Sequence, residues 1–148
     1  MPNETPATVR VARHFEFSAE RVFDAWLDPK TAGQWLFSTP TGVIMRVDID
    51  ARVGGRYAIV DRRSGEDVEH RGEYLEIDRP KRLVFTFGVP KYSPLYGRVA
   101  IDIVPTRGGC DLTLVHEGVL LEFKERTQSG WTRILEALAA HLASGPRA

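Results

Sequence analysis

The sequence predicts an α+β domain in which one long C-terminal helix lies across a curved antiparallel sheet of about six or seven strands. Three observations carry that reading. Trp131, Ile134, Leu135, Leu138 and Leu142 repeat at i, i+3, i+4, i+7 and i+11, while Arg126, Gln128, Arg133 and Glu136 take the opposite side. At ~100° per residue the apolar five share one helical stripe. From Arg46 to Glu117 the chain instead alternates apolar and polar residues in short runs punctuated by Gly, Pro, Asp and Ser, the pattern of strands joined by short turns. Between the first strand and that region two small helices are expected, giving the order strand, helix, helix, many strands, helix. A helix gripping a curved sheet can enclose space, and such space holds small apolar molecules.

The elements follow in order. Residues 1–7, with two prolines, read as a frayed tail, and order is expected from Thr8. Val9, Val11, Arg13, Phe15 and Phe17 alternate with polar neighbours, a period-2 strand with one charge on its apolar face. Ser18 is placed to cap a helix whose buried side is Val22, Phe23, Trp26 and Leu27; Pro29 stops it and is expected to start a second short helix carrying Trp35. After Pro40 and Gly42, a strand is expected in which Val43, Met45, Val47 and Ile49 share a face. Strands follow at Arg56–Val60, Val68–Ile77 and Leu83–Phe87, separated by a hairpin tip at Arg63-Ser64-Gly65-Glu66 and a turn at Asp78-Arg79-Pro80-Lys81. The irregular stretch Gly88–Gly97, with Pro90, Tyr92, Pro94 and Tyr96, has the composition of a lid. Val99, Ile101 and Ile103, then Leu112, Leu114 and His116, form the last two strands around a turn at Thr106–Gly109. The single domain is expected to span 8–144, with a short tail at 145–148.

Composition excludes several functions. Twenty basic and twenty acidic residues leave no net charge to draw nucleic acid or an anionic membrane, so neither is an expected partner. The lone Cys110 has no intramolecular disulfide partner and residues 1–15 hold no signal-peptide-like apolar stretch, which points to the cytoplasm. No apolar run approaches the ~20 residues that span a bilayer. His14, His70, His116 and His141 are far apart in sequence and there is one Cys, so no metal and no cofactor are expected; Gly-x-Ser-x-Gly, Walker and dinucleotide-binding patterns are missing.

Several stretches together resemble a known family. They are Arg13-His-Phe-Glu-Phe-Ser-Ala-Glu-Arg-Val-Phe-Asp-Ala-Trp-Leu-Asp-Pro29, Trp35, Gly54-Gly55, Gly72-Glu-Tyr-Leu-Glu-Ile-Asp-Arg-Pro80 with Leu83-Val-Phe-Thr86, Gly108-Gly109, His116-Glu-Gly118 and Gly130-Trp131. Across about residues 8 to 143 the chain is similar to the activator of heat shock protein 90 ATPase homologue family, within the START/Bet v-like (SRPBCC) superfamily. The resemblance implies a helix-grip fold and a bacterial-type single domain. Relatives elsewhere in the superfamily bind lipids, hormones or polyketides, or act as cyclases and hydrolases. The family's eukaryotic co-chaperones carry an additional N-terminal domain, for which 148 residues are expected to leave no room, so a co-chaperone role is not the leading expectation.

The residues add candidate roles. An inner wall is expected from Phe15, Trp35, Tyr57, Tyr74, Phe85, Phe87, Ile101, Trp131 and Leu135, with Arg13 and His116 as its polar members. Trp131 either fills the core or walls a pocket. Gly130, which costs a helix ~1 kcal/mol relative to Ala, is expected to allow close packing or ligand approach. Arg13 either snorkels to the sheet edge or turns inward, where it needs Glu73, His116 or an anionic head group. His116 is read either as a hydrogen-bonded core histidine or as a general acid or base. Glu73 and Glu76 fall on opposite faces, so at most one enters the interior. Exposed Tyr92 and Tyr96 leave a homodimer open. The leading expectation is binding of a small apolar or amphipathic molecule between the last helix and the sheet. The alternatives are a polyketide-cyclase-like or hydrolase-like enzyme using His116 with Arg13 or Glu73, and a stress-related module that contacts a chaperone.

Overall fold

The computed structural model describes residues 6–37, 42–91 and 96–144. The strands are β1 (Pro6–Phe15), β2 (Val43–Ile49), β3 (Arg56–Arg63), β4 (Glu66–Asp78), β5 (Arg82–Phe87), β6 (Gly97–Thr106) and β7 (Gly109–Leu120); the helices are α1 (Ala19–Leu27) and α2 (Lys124–Ser144). One antiparallel sheet runs β1-β7-β6-β5-β4-β3-β2, so a meander from β2 to β7 is completed by β1 on the edge of β7. This is the α+β helix-grip arrangement.

Local chemistry sets the boundaries. The Ser18 hydroxyl accepts the Arg21 N–H at 3.1 Å and starts α1. At its end the Asp28 carboxylate accepts the Lys30 N–H at 2.9 Å and the Thr31 hydroxyl at 3.1 Å, closing an Asx-type turn through Pro29. That turn uses up the residues from which a second helix was expected to start. A single 3₁₀ turn, Ala32–Gln34, remains before Trp35. At the β3–β4 tip Ser64 and Gly65 both have positive φ, as a type I′ hairpin requires. β1 begins at Pro6, two residues before the expected start of order.

Strand β2 departs from the simple alternation. Its register with β3 shifts between Ile44 and Arg46, leaving Met45 as the extra residue of a bulge. The face changes there: Ile44, Val47 and Ile49 are half-buried, whereas Val43 and Met45 are 60% and 46% exposed.

Helix α2 buries Trp131, Leu135, Leu138 and Leu142, with Ile134 half-buried, as its stripe predicts. Full burial of each aliphatic side chain contributes about 1.5–3 kcal/mol before the entropy of ordering it. The helix rests on β1 and β7 and is tied to α1, where Arg21 Nη2 donates to the Leu142 carbonyl at 3.1 Å. Gly130 does not serve the close approach expected of it, since a Cβ added there would meet nothing within 4 Å. Among the described residues no helix is long and apolar enough to cross a membrane.

Candidate functional site

Alternation along the strands sends Tyr57, Ile59 and Asp61 of β3, Val68, His70 and Tyr74 of β4, Leu83, Phe85 and Phe87 of β5, and Leu112, Leu114 and His116 of β7 toward the helix side of the sheet. All are buried except the half-buried Phe87. Phe15, Ile101 and Leu135 belong to the same core. Two aromatic groups meet there. Trp26, Tyr57, Tyr74 and Phe85, with Leu36, Phe37, Ile49, Ile59 and Leu83, surround a space of about 10 Å³. That is room for about one water. The larger cavity expected between helix and sheet is filled: Trp26 lies edge-on to Trp35 at 4.8 Å and tilted to Trp131 at 6.4 Å.

The second group is built on Trp131, whose ring centroid lies 5.8 Å from Phe87, 5.9 Å from Phe37 and 6.0 Å from His116. Phe37 stacks on His70 at 4.4 Å, 7° from parallel, and on Phe87 at 5.2 Å. Its backbone has φ 61°, a left-handed conformation that is costly for a bulky side chain. Phe37 thus lies between the sheet and Trp131, held by packing on a strained backbone.

The polar groups of this interior are unusual in their bonding. Trp131 Nε1–H donates to His116 Nδ1 at 3.0 Å, which places the imidazole proton on Nε2. Burial pushes the His116 pKa from 6.5 down to about 4, so the ring is neutral at pH 7. Its other nitrogen lies against the β6 backbone, where a Cβ on Gly97 would fall 2.7 Å from Nε2. His70 is likewise lowered to about 4, chiefly by burial and only partly offset by the Asp61 carboxylate. Its Nδ1 lies 3.2 Å from the Ile59 carbonyl and 3.7 Å from Asp61 Oδ1, while Arg63 Nη2 reaches Nε2 at 3.3 Å. Asp61 is fully buried; Oδ2 takes the Arg63 Nε–H at 2.5 Å. Asp61 Oδ1 and the indole N–H groups of Trp26 and Trp35 find no hydrogen-bond partner among the described residues. Tyr57 donates to the Thr86 carbonyl at 2.8 Å, and burial raises the pKa values of Tyr57 and Tyr74, so both phenols stay protonated.

Arg13 is not part of this interior. It is exposed on β1, its guanidinium 5.8 Å above the Phe15 ring, and forms no ion pair among the described residues. The snorkelling alternative is the one the fold adopts. Glu73 lines a polar groove of about 560 Å³ with Arg46, Arg56, Arg71 and Tyr96, and Glu76 pairs with Arg82, so neither carboxylate joins His116. The acid–base grouping of His116 with Arg13 or Glu73 is therefore not assembled. Among the described residues no three His, Cys, Asp or Glu side chains gather as metal ligands. Tyr92 and Pro94, on which part of the lid and dimer readings rested, lie outside the described residues, as does Pro40. Tyr96 is 46% exposed.

Sequence reasoning missed Asp61, His70 and Phe37. The first two carried a signal, since Asp61 is in phase with Tyr57 and Ile59, and His70 with Val68 and Tyr74. Phe37, followed in the sequence by Ser38, Thr39 and Pro40, sits in no periodic pattern.

This architecture matches a family model, "Activator of Hsp90 ATPase homolog 1-like protein", over residues 16–143. The chain belongs to that family. Among solved structures, protein CV1439 from Chromobacterium violaceum is 33% identical with a TM-score of 0.83, covering 90% of this chain and 94% of that one. At the level of fold alone, a protein of unknown function from Staphylococcus aureus, SA2116, has a TM-score of 0.84 at 18% identity over 95% of each chain. An AHSA1-like protein from Aeromonas hydrophila, solved by NMR, has 0.78 at 19% over 93% of each. No curated protein matches the sequence. The interior between helix and sheet of this Activator of Hsp90 ATPase homolog 1-like, SRPBCC-type domain is filled by its own side chains among the described residues.

Proposed function

We propose that this domain binds a small apolar or amphipathic molecule between α2 and the sheet, in space that Phe37 holds in the present conformation. The observation that carries the reading is Phe37 itself. A bulky side chain on a left-handed backbone is stacked between the sheet aromatics and Trp131. Strain of this kind costs about 1–3 kcal/mol and concentrates at sites that change conformation. A ligand that takes the place of the ring recovers its stacking contacts while the backbone relaxes. The Trp26 and Trp35 N–H groups, without a partner among the described residues, favour the same reading, because a buried donor left unpaired costs about 1–3 kcal/mol and an oxygen-bearing ligand within reach removes that cost. Such a site needs an apolar wall with few polar handles, and Trp131, Phe87, Phe85 and Tyr74 supply that wall.

Native mass spectrometry of the freshly purified protein tests this. The expected spectrum contains a species heavier than the polypeptide by a few hundred daltons or less, which is lost on collisional activation. A spectrum holding only the bare chain, with no apolar probe raising the unfolding temperature, counts against ligand binding. It shifts weight to a protein-contact role.

A further inference from the structure

Asp61 is a fully buried carboxylate in the sheet. It sits at an inward position of β3 with no exposure, one carboxylate oxygen held by Arg63 and the other, Oδ1, without a partner among the described residues. A buried acceptor left unpaired is costly, and more so when charged. The neighbouring polar group does not satisfy it: His70 Nδ1 is 3.7 Å from Oδ1, beyond hydrogen-bond length, and 3.2 Å from the Ile59 carbonyl. The His70 ring is also the surface on which Phe37 stacks. A molecule replacing Phe37 therefore lies against the His70 ring, whose Nδ1 is 3.7 Å from the Asp61 oxygen that has no partner among the described residues.

We propose that Asp61 Oδ1 is the head-group acceptor of the interior site, and that the ligand is a neutral molecule of about one-ring size with a hydroxyl donor, a phenol or a compact alcohol. This rests on the ligand-binding reading above and adds the ligand's chemistry to it. Charge decides among head groups. Arg63 already neutralises Asp61, so an ammonium would bring an uncompensated charge into a dry aromatic site, and a carboxylate would face the Asp61 oxygen directly. A hydroxyl donates one hydrogen bond to Oδ1 and adds no charge. Its own oxygen remains free to accept from a buried N–H.

The test is calorimetric titration of the wild-type protein with p-cresol and with toluene, which differ only in the hydroxyl. A hydrogen bond to a charged acceptor predicts that p-cresol binds about tenfold or more tightly than toluene. In Asp61→Asn the amide oxygen turns to Arg63 and its NH₂ faces the site, so the preference falls below about threefold while toluene affinity is retained. Equal affinities for the two probes in the wild-type protein overturn the head-group assignment but leave an interior apolar site standing. Binding of neither probe to the wild-type protein overturns the interior site and the assignment with it. The wild-type comparison decides the matter even if Asp61→Asn does not fold.

Discussion

Replacing His116 with Asn keeps a side-chain oxygen near the place of Nδ1, where the Trp131 indole donates, and removes a buried titrating ring. The wild-type ring is 5% exposed and its pKa lies at about 4 in the folded protein, against the usual 6.5 when unfolded. The folded state thus holds the neutral ring and the unfolded state binds the proton first. The stability contributed is present above pH 6.5 and is lost as the pH falls toward 4. At ~1.4 kcal/mol per pH unit it amounts to about 3 kcal/mol when fully expressed, of which about 2 kcal/mol is lost between pH 7 and pH 5. Urea unfolding of both proteins at pH 7, 6 and 5 measures this directly. His70 titrates in both, so its contribution cancels in the difference. The wild type should lose about 2 kcal/mol more than His116→Asn over that range. Parallel curves would refute the argument, because they would mean that His116 is solvated or already charged in the folded state.

Further predictions follow from single contacts. Trp131→Phe leaves the His116 Nδ1 acceptor buried and unpaired, and should lower unfolding free energy by about 1–3 kcal/mol in urea at pH 7. Gly130→Ala should raise the free energy of unfolding by about 0.5–1 kcal/mol, since a Cβ there meets open space and Ala is the better helix former; a loss of stability would reveal a contact at that position. Gly97→Ala should destabilise severely in the same assay, because its Cβ would fall 2.6 Å from the Glu117 carbonyl oxygen and 2.7 Å from His116 Nε2. Phe37→Ala should increase the fluorescence of an apolar naphthalene-sulfonate dye at least severalfold over wild type, as removal of the ring opens the aromatic interior; no increase would mean that the neighbours close the space.

The sequence made the scaffold legible where a single periodicity ruled. The α2 stripe from Trp131 to Leu142 buries as its spacing requires, and the strand order follows from consecutive short runs with turn residues between them. The departures have local causes. A bulge at Met45 adds one residue and turns Val43 and Met45 outward, and the Asp28 side chain spends residues 28–31 on a turn. Neither event alters the apolar count, so pattern reading does not register it. For the candidate site, the inward aromatics Tyr57, Tyr74, Phe85 and Phe87 were legible from alternation, and Arg13 was legible only as a choice between two orientations. Phe37 was not legible, because its importance lies in tertiary stacking and a positive φ rather than in its spacing from other apolar residues. Asp61 and His70 are in phase with inward apolar neighbours, but polar residues in a strand are usually solvated, so their depth of burial was not legible from that phase alone.

The most direct test of the central claim is a crystal structure of the wild-type protein grown with p-cresol. The Phe37 ring should be displaced from its stack on His70, with electron density for one p-cresol between His70 and Trp131 and its hydroxyl within hydrogen-bond distance of Asp61 Oδ1. Phe37 unmoved on His70, with p-cresol only on the outer surface or absent, would contradict it.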